Sequence, residues 1–212
     1  MYRLLTLFAL LVLVTATATN HKADASPVLK LGSEGEDIPE LQFRLQSVGY
    51  YNLPIDKNFG KATFSAVQRF QKNNGIQSDG VVGPKTWAKL KKLSVNKKEL
   101  SMLARVIYAE ARGEEYKGQV AVGAVVMNRL RSSKFPNTVK EVIMEPNAFS
   151  AVKDGQYWLI PNQTAFKAAK AAVKGMDPTG NALFYFNPVI SKSTWFNSRT
   201  ATKKIGNHLF TL

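Results

Sequence analysis

The sequence predicts two small domains: an N-terminal domain of three short helices and a C-terminal α+β domain that is mainly helical with a small sheet. Three observations lead to this fold class. The chain has 212 residues and is 45% apolar, which is enough for two packed cores. Apolar residues recur at helical spacing in both halves. A polar, lysine-rich stretch at residues 93–99 lies between the halves and indicates a linker.

Residues 1–25 precede both domains and have the order of a secretory signal. A short charged lead is followed by an almost unbroken apolar run at residues 4–14 and by small residues that end at Ala25. We expect cleavage after Ala25 and a secreted protein. The run is shorter than the roughly 20 apolar residues that a membrane span needs, so we expect no stable span after cleavage. An uncleaved membrane anchor remains the alternative.

Residues 28–92 are predicted to form the N-terminal domain. Apolar stripes predict helices at residues 36–48, 61–71 and 86–93, with turn-rich segments between them. Three short helices around one core make a domain that is small but able to fold alone. The sequence shows no apparent internal repeat.

Residues 100–212 are predicted to form the C-terminal domain. Its first helix starts at residue 100 and ends at Arg112-Gly113. The later predicted elements are helices at 118–131, 138–144 and 162–174, an aromatic loop at 145–160, and strands at 183–186 and 208–211.

The scarcity of cysteine and histidine excludes several kinds of enzyme. The chain has no cysteine, so it has neither disulfides nor thiol chemistry. Its two histidines are His21 and His208, and one mature histidine cannot build a zinc site with several imidazoles. No G-x-S-x-G motif supplies a nucleophilic serine, and we interpret His208 as structural. No phosphate-binding glycine loop is present, and we expect no metal and no cofactor.

The chain is strongly basic, with a formal net charge of +14 at pH 7. Removal of residues 1–25 takes away two basic residues and one acidic residue, which leaves +13. Such a charge favours nucleic acid, anionic lipid or an anionic wall polymer as the partner. Export argues against nucleic acid, so we expect no nucleic-acid partner.

Carboxylate chemistry is what remains, and Glu110 is the main candidate. It continues the apolar stripe of the first helix of its domain, whereas the other acids are predicted to face solvent. Desolvation favours a protonated carboxyl group, which can donate a proton to a glycosidic oxygen. A structural ion pair with Arg105 or Arg112 is an equal alternative. The acids of this domain are Glu110, Glu114, Glu115, Glu141, Glu145, Asp154 and Asp177.

Aromatic and amide side chains in loops and at strand ends favour a carbohydrate ligand. Sugars present apolar CH faces together with many hydroxyl groups, and these residue types match both. The alternative is that most of the rings are core residues. The side chains concerned are Phe149, Tyr157, Trp158, Tyr185, Phe186, Asn187 and Trp195.

Residues 29–90 contain LGSEG at 31–35, LQFRL at 41–45, AVQRFQ at 66–71 and DGVVG at 79–83. These ordered motifs resemble the small peptidoglycan-binding domain found on many cell-wall hydrolases. The resemblance implies that this domain binds peptidoglycan. One departure is Asp56-Lys57, where the family often has Asp-Gly, so this turn is expected to differ.

The second domain contains YAEARGE at 108–114, GQVAV at 118–122, FPNT at 135–138, DPTGNA at 177–182, YFNP at 185–188 and KIGNH at 204–208. These motifs resemble the catalytic domain of the spore cortex-lytic and related cell-wall hydrolases of endospore-forming bacteria. The resemblance covers the whole domain. It implies a lysozyme-like fold, lytic transglycosylation of peptidoglycan, and Glu110 as the catalytic acid.

We expect further residues of this domain to bind the substrate. The two helix amides are assigned to the N-acetyl groups of the sugars, and the others are assigned to the cleft. The expected substrate-binding residues are Gln119, Asn128, Phe149, Tyr157, Tyr185 and Asn187.

The expected protein is a monomer, secreted to the cell wall or the spore cortex. The sequence does not decide between cortex and vegetative wall as the substrate. A hydrolytic muramidase is an alternative and needs a second carboxylate from Glu114, Glu115 or Asp154. Two further hypotheses are a non-catalytic wall-binding protein and a cationic protein that acts on membranes.

Overall fold

The computed structural model describes residues 26–191 and 198–212. Within these residues two main hydrophobic cores divide the chain, one between Leu29 and Leu90 and one between Val95 and Val173. The predicted signal at residues 1–25 and the predicted sugar-contacting Trp195 lie outside the described residues. No helix in the described part is long and apolar enough to cross a membrane.

The N-terminal domain has the three predicted helices: α1 (Asp37–Ser47), α2 (Lys61–Asn73) and α3 (Pro84–Leu93). Each helix turns an apolar face to one shared core. Pro84 is the first residue of α3, where a missing N–H leaves no hydrogen bond unmade. Two isolated antiparallel bridges, Leu29 with Val82 and Glu34 with Asn58, tie the connecting segments together.

Gln71 is buried on α2 and holds the turn that precedes α3. Its Nε2 donates to Asp79 Oδ1 (3.0 Å), to the Val81 carbonyl (2.9 Å) and to Thr86 Oγ1 (3.2 Å). Its Oε1 accepts from the Gly80 amide (2.9 Å). One side chain therefore fixes both the turn and the start of the next helix.

Gln42 on α1 holds the turn that precedes α2 in the same way. It is buried on α1, and its Nε2 donates to Asp56 Oδ1 (2.7 Å) and Thr63 Oγ1 (3.0 Å). Its Oε1 accepts from the Asp56 amide (2.8 Å). The Thr63 hydroxyl stands at the start of α2, as Thr86 stands at the start of α3.

The two turns form a short structural repeat, so the prediction of no internal repeat is wrong. Aspartate, glycine and threonine recur at equal spacing in DKNFGKAT at residues 56–63 and DGVVGPKT at residues 79–86. The turns differ at their second position, as expected from the Asp56-Lys57 departure. Gly80 has φ +72°, and a Cβ there would lie 2.2 Å from the Phe64 ring, whereas Lys57 has no positive φ.

The C-terminal domain is mainly helical with a small sheet, as predicted. Its helices are α4 (Lys97–Ala111), α5 (Tyr116–Arg131), α6 (Val139–Met144), α7 (Ser150–Lys153) and α8 (Gln163–Val173), with a 3₁₀ turn at Gln156–Trp158. Its strands are β1 (Phe184–Phe186), β2 (Ala201–Ile205) and β3 (His208–Thr211). The strands form an antiparallel sheet in the order β1-β3-β2.

Helix α5 is the centre of this domain. It is buried along nearly its whole length, which agrees with its Val- and Ala-rich sequence. Gly123 lets α4 and α8 approach closely, since a Cβ there would lie 2.8 Å from Ile107 Cδ1 and 3.0 Å from Ala172 Cβ. The predicted aromatic loop at 145–160 is partly helical, because it contains α7 and the 3₁₀ turn.

The predicted linker at residues 93–99 is mostly helix. Helix α3 ends at Leu93 and α4 begins at Lys97. Asn96 caps α4: its Oδ1 accepts from the Glu99 amide (2.9 Å), and Glu99 Oε2 accepts from the Asn96 amide (2.7 Å). This reciprocal capping box stabilises the first turn of α4. A helix therefore begins where the lysine-rich composition indicated a linker. The domain limits at residues 92 and 100 stay predictions.

Arg44 bonds the two domains to each other. It lies on α1 with 2% of its side chain exposed. Its Nε contacts Glu40 Oε1 at 2.9 Å, and its Nη1 contacts Glu99 Oε2 on α4 at 3.0 Å. Nη1 also lies 3.4 Å from the carbonyl oxygen of Ser94. A buried guanidinium needs such partners, so Arg44 holds the start of α4 against α1.

Candidate active site

A cavity of about 560 Å³ opens between the end of α4, the buried helix α5, the 145–150 segment and the sheet. This volume is within the usual range for a small-molecule site. Its titratable lining residues are Glu110, Arg129, Glu145, Tyr185 and His208. The wall also contains aromatic and amide residues: Phe135, Phe149, Phe184, Phe186, Asn147 and Asn187.

Glu110 lies in the last turn of α4, and its carboxyl group is held by three donors. The Ala151 amide donates to Oε1 (2.7 Å), the Tyr185 hydroxyl donates to Oε2 (3.0 Å), and Ser150 Oγ lies 3.2 and 3.3 Å from the two oxygens. These donors come from α7 and β1. Glu110 is partly buried, so the carboxyl group is fixed in orientation and still faces the cavity.

The alternative of a structural ion pair for Glu110 is wrong. Arg105 donates to the carbonyl oxygens of Trp158 and Leu159, and Arg112 donates to that of Ala109. Within the described residues, Glu110 forms no salt bridge.

Tyr185 is a neutral donor to Glu110. Burial raises the pKa of its phenol well above 10, and the negative charge of Glu110 and the hydrogen bond to it raise this pKa further. The hydroxyl therefore keeps its proton throughout the neutral range. The ring packs against Phe149, with centroids 6.4 Å apart, and edge-on against His208, with centroids 5.0 Å apart.

Arg129 places a buried cation in the same cavity. Only 5% of the residue is exposed, and its Nε donates to the Leu183 carbonyl (2.8 Å). The guanidinium carbon lies 4.9 Å from the ring centroid of Phe149 and 5.4 Å from that of Phe184. Burial lowers the pKa of Arg129, and nearby Tyr185 and the carboxylates raise it, so the group stays charged.

Three of the predicted substrate-binding residues share the cavity with Glu110: Phe149, Tyr185 and Asn187. Phe149 lies directly before α7 and is 3% exposed. Asn187 follows β1, and its Oδ1 accepts from the Val189 amide (2.9 Å). Their roles toward a sugar stay predictions.

The other three lie outside the cavity and make internal contacts, which corrects their assignment. Gln119 is buried in the first turn of α5, where its Nε2 donates to the Glu114 carbonyl (3.1 Å). Asn128 donates to Asp177 Oδ2 (2.9 Å) and to the Ala182 carbonyl (3.1 Å). Tyr157 is 2% exposed and belongs to the core. Amide and aromatic residue types alone do not distinguish a cleft from an interior.

The prediction that six acids face solvent is wrong for Asp177. Its carboxylate accepts from Asn128 Nδ2 (2.9 Å), from the Thr179 amide (2.8 Å) and hydroxyl (2.6 Å), and from the Asn181 amide (3.0 Å). Burial on its own would raise the pKa of Asp177, but these hydrogen bonds outweigh it and hold the pKa below the usual value. Asp177 closes the turn that leads to β1.

The prediction is also wrong for Glu114, whose side chain is 10% exposed. Its Oε2 accepts from the Asn207 amide (3.3 Å), and its Oε1 accepts from Asn207 Nδ2 (3.0 Å). Oε1 lies 4.0 Å from Nδ1 of His208. Glu114 therefore fastens the end of α4 to the β2–β3 turn.

Known proteins similar to this chain match it over nearly its whole length. A spore cortex-lytic enzyme of Bacillus cereus is 41% identical over 229 residues, which cover 90% of this chain and 88% of that protein. A spore cortex-lytic enzyme of Oceanobacillus iheyensis is 38% identical and covers 91% and 90%. This chain belongs to the spore cortex-lytic enzyme family.

Both domains of this family member match family models. Residues 113–211 match the Cell Wall Hydrolase model, and residues 34–90 match a peptidoglycan binding domain. These two matches confirm the predicted resemblance to both families. The Cell Wall Hydrolase match starts just after Glu110 and does not include it.

Solved structures agree for the second domain. The catalytic domain of the Bacillus cereus SleB protein is 52% identical with a TM-score of 0.54, covering 56% of this chain and 93% of that one. The catalytic domain of the germination-specific lytic transglycosylase SleB from Bacillus anthracis is 53% identical with a TM-score of 0.53, covering 56% and 97%. The predicted two-domain architecture is confirmed, and the lysozyme-like relationship stays a prediction.

Three titratable residues of the cavity were missed as site residues: Arg129, Glu145 and His208. Arg129 had a usable signal, because a charged residue in an otherwise apolar, buried helix needs a partner or a function. His208 had the weaker signal of being the sole histidine outside residues 1–25. Glu145 had no sequence signal that could have identified it, because a glutamate before a proline in a loop is an ordinary surface pattern.

Proposed function

We propose that this chain cleaves the glycan strands of spore cortex peptidoglycan by lytic transglycosylation during germination, with Glu110 as the catalytic acid. One observation carries the assignment. The carboxyl group of Glu110 is held by three donors on the wall of a cavity of about 560 Å³. A fixed carboxyl group in an open, aromatic-lined cavity is what proton transfer to a glycosidic oxygen needs.

Glu110 donates its proton to the oxygen that links N-acetylmuramic acid to N-acetylglucosamine. The bond from this oxygen to the muramic C1 breaks, and positive charge develops at C1. The 6-hydroxyl of the same muramic residue then attacks C1 and loses its proton to a base, which is Glu110 itself in the simplest route. The product carries a 1,6-anhydro end and no water is consumed.

The surroundings of Glu110 suit the carboxylate that forms after it has given up its proton. Tyr185 stays protonated, so its hydroxyl remains a donor to Glu110 before and after proton transfer. The Ala151 amide also donates to Glu110, and a backbone N–H remains a donor at every stage because it does not titrate. Intramolecular attack requires a single carboxylate, unlike an ordinary glycosidase, which requires two.

The N-terminal domain supports a wall substrate. A domain that binds peptidoglycan raises the effective concentration of glycan at a cavity in the same chain. We include in the proposal export by residues 1–25 with cleavage after Ala25, action at the cell wall or cortex, and a monomeric enzyme.

Mass spectrometry of the products released from purified cortex tests the proposal. We expect anhydromuropeptides from cortex and loss of their release by about 10²- to 10⁴-fold in Glu110→Gln. Glu115→Gln is the matched control, because Glu115 is exposed and does not line the cavity. Normal release by Glu110→Gln would overturn the role of Glu110 as the catalytic acid. Release from vegetative sacculi instead of cortex would show that the substrate is the vegetative wall.

A hydrolytic muramidase is the second candidate, and Glu145 is the observation that favours it. Glu114, Glu115 and Asp154 do not line the cavity, but Glu145 does. A second carboxylate there would activate a water molecule. Hydrolysis gives reducing muramic ends that are one water heavier than anhydro ends, and Glu145→Gln would abolish them. An unchanged turbidity of cortex fragments would instead indicate a non-catalytic wall-binding protein.

A further inference from the structure

His208 lines the cavity that contains Glu110, although its sequence position suggested a structural role. It is the first residue of β3, lines the same cavity as Glu110, and has 12% of its side chain exposed. Its Nδ1 is buried and has no hydrogen-bond partner within the described residues. A purely structural histidine normally has its buried nitrogen satisfied.

Glu114 lies behind this imidazole. Its Oε1 is 4.0 Å from His208 Nδ1, which is longer than a hydrogen bond but close enough for the carboxylate charge to act on the imidazole. The carboxylate is held in place by the Asn207 amide and side chain. Gly206 makes room for it, because a Cβ at that residue would lie 1.8 Å from Glu114 Oε2.

This arrangement favours one tautomer of the imidazole. A carboxylate that faces Nδ1 favours a proton on Nδ1 and leaves the lone pair on Nε2. The same division of roles, with a carboxylate behind an imidazole that takes up a proton, operates in serine hydrolases. Here the imidazole borders the cavity that also contains Glu110.

We propose that His208 is a second proton-transfer residue of the reaction, accepting through Nε2 the proton of the hydroxyl that attacks C1, and that Glu114 is its positioning residue. The inference rests on the proposed function and divides its two proton transfers between two side chains. The attacking oxygen bonds to C1 as its proton passes to Nε2, and the departing oxygen takes the proton of Glu110. The imidazolium then returns its proton to the Glu110 carboxylate, which restores both groups.

The charges around His208 are consistent with a neutral base. Burial lowers the pKa of His208 below 6.5, while the negative charges of Glu114 and Glu110 raise it. Tyr185 on β1 contacts the ring edge-on and is uncharged. Other charged groups lie nearby: Arg129 and Glu145 on the cavity wall, and Glu115, Lys117 and Lys204 in the pocket that Glu114 lines.

The sign of the pH dependence follows from these charges. A base works only when unprotonated, so the rate falls as the pH drops through the pKa of His208, which lies below 6.5. Glu114→Gln removes a charge that raises this pKa. The acidic limb of the rate profile should therefore move to lower pH in Glu114→Gln.

Two measurements on the full chain test this proposal. NMR titration of the imidazole signals gives the pKa of His208 directly, because the chain has two histidines and His208→Gln removes the signal to be assigned. The rate of anhydromuropeptide release is measured over the same pH range. We expect both the pKa and the acidic limb to move down together in Glu114→Gln, and neither to move in the exposed-carboxylate control Glu115→Gln.

His208→Gln should lower the rate by about 10²-fold or more and remove the acidic limb. A wild-type rate and profile in His208→Gln would overturn the inference. A pKa that moves in Glu114→Gln while the acidic limb stays fixed would also overturn it. Because Glu114→Gln keeps the imidazole, it decides the question even if His208→Gln does not fold.

Glu110→Gln separates this inference from the proposed function. An inactive Glu110→Gln together with a fully active His208→Gln removes the role of His208 and leaves the proposed function standing. An active Glu110→Gln overturns the proposed function itself.

Discussion

The two domains differ in how completely their buried glutamine side chains are hydrogen-bonded. In the N-terminal domain, Gln42 and Gln71 have both ends of their amides hydrogen-bonded, and each holds a turn and a helix start. In the C-terminal domain, Gln119 Oε1 and His208 Nδ1 are buried without partners within the described residues. A satisfied network makes one structure rigid, whereas an unsatisfied buried group costs stability.

The largest expected effect comes from breaking one satisfied network. Gln71→Leu leaves the Gly80 amide and the Val81 carbonyl without the glutamine partner, and we expect a loss of about 3 kcal/mol in the free energy of unfolding. Gln119→Leu is the matched control, because it removes a single hydrogen bond and an unpaired oxygen. We expect about 1 kcal/mol or less from it. Urea denaturation measures both, and equal losses would show that the contrast between the domains is wrong.

The second effect concerns a satisfied network inside the catalytic domain. Asp177→Asn replaces an acceptor of four hydrogen bonds, and we expect a loss of about 2 kcal/mol near neutral pH. Since the pKa of Asp177 is lowered in the fold, its stabilisation is present above the ordinary aspartate pKa and lost as the pH falls through the folded one.

Thermal unfolding of both forms across the acidic range checks this. The difference in stability between wild type and Asp177→Asn should shrink below about pH 4. A difference that stays constant down to about pH 2, well below the ordinary aspartate pKa, would show that the carboxylate charge of Asp177 is not what the turn requires.

The smallest effect is expected from one hydroxyl in the cavity. Tyr185→Phe removes a donor to Glu110 and leaves the ring contacts, so we expect kcat to fall about tenfold, equivalent to about 1.4 kcal/mol, with a loss of about 1 kcal/mol in the free energy of unfolding. Tyr157→Phe is the control, because Tyr157 is buried away from the cavity. Equal activities of the two variants on cortex fragments would remove the role given to Tyr185.

The sequence was most informative where a side-chain pattern repeats. The stripe that ends at Glu110 predicted its helix, and α2 was predicted at 61–71 against an observed Lys61–Asn73. Strand β2 was missed because its residues are mostly exposed and do not alternate. Gln119 and Asn128 were misplaced because a polar residue on a buried helix points inward as readily as into a cleft.

Single residues whose role depends on distant parts of the chain were beyond the sequence. Glu114 and His208 are 94 positions apart, and their proximity depends on the β2–β3 turn closing onto the end of α4. No local pattern records such a closure. The capping box at Asn96, by contrast, is a local signal that the lysine-rich composition obscured.

The short connection between α3 and α4 bears on how the protein would move along a glycan strand under the proposed function. Three residues separate the helices, and Arg44 bonds across the boundary to Glu99. A catalytic domain on a flexible linker could reach many glycosidic bonds from one binding position. A catalytic domain held against the binding domain reaches only the bonds at a fixed distance from that position. Under the proposed function, each further cut then requires release and rebinding, and fragment lengths in a brief digest would record the step.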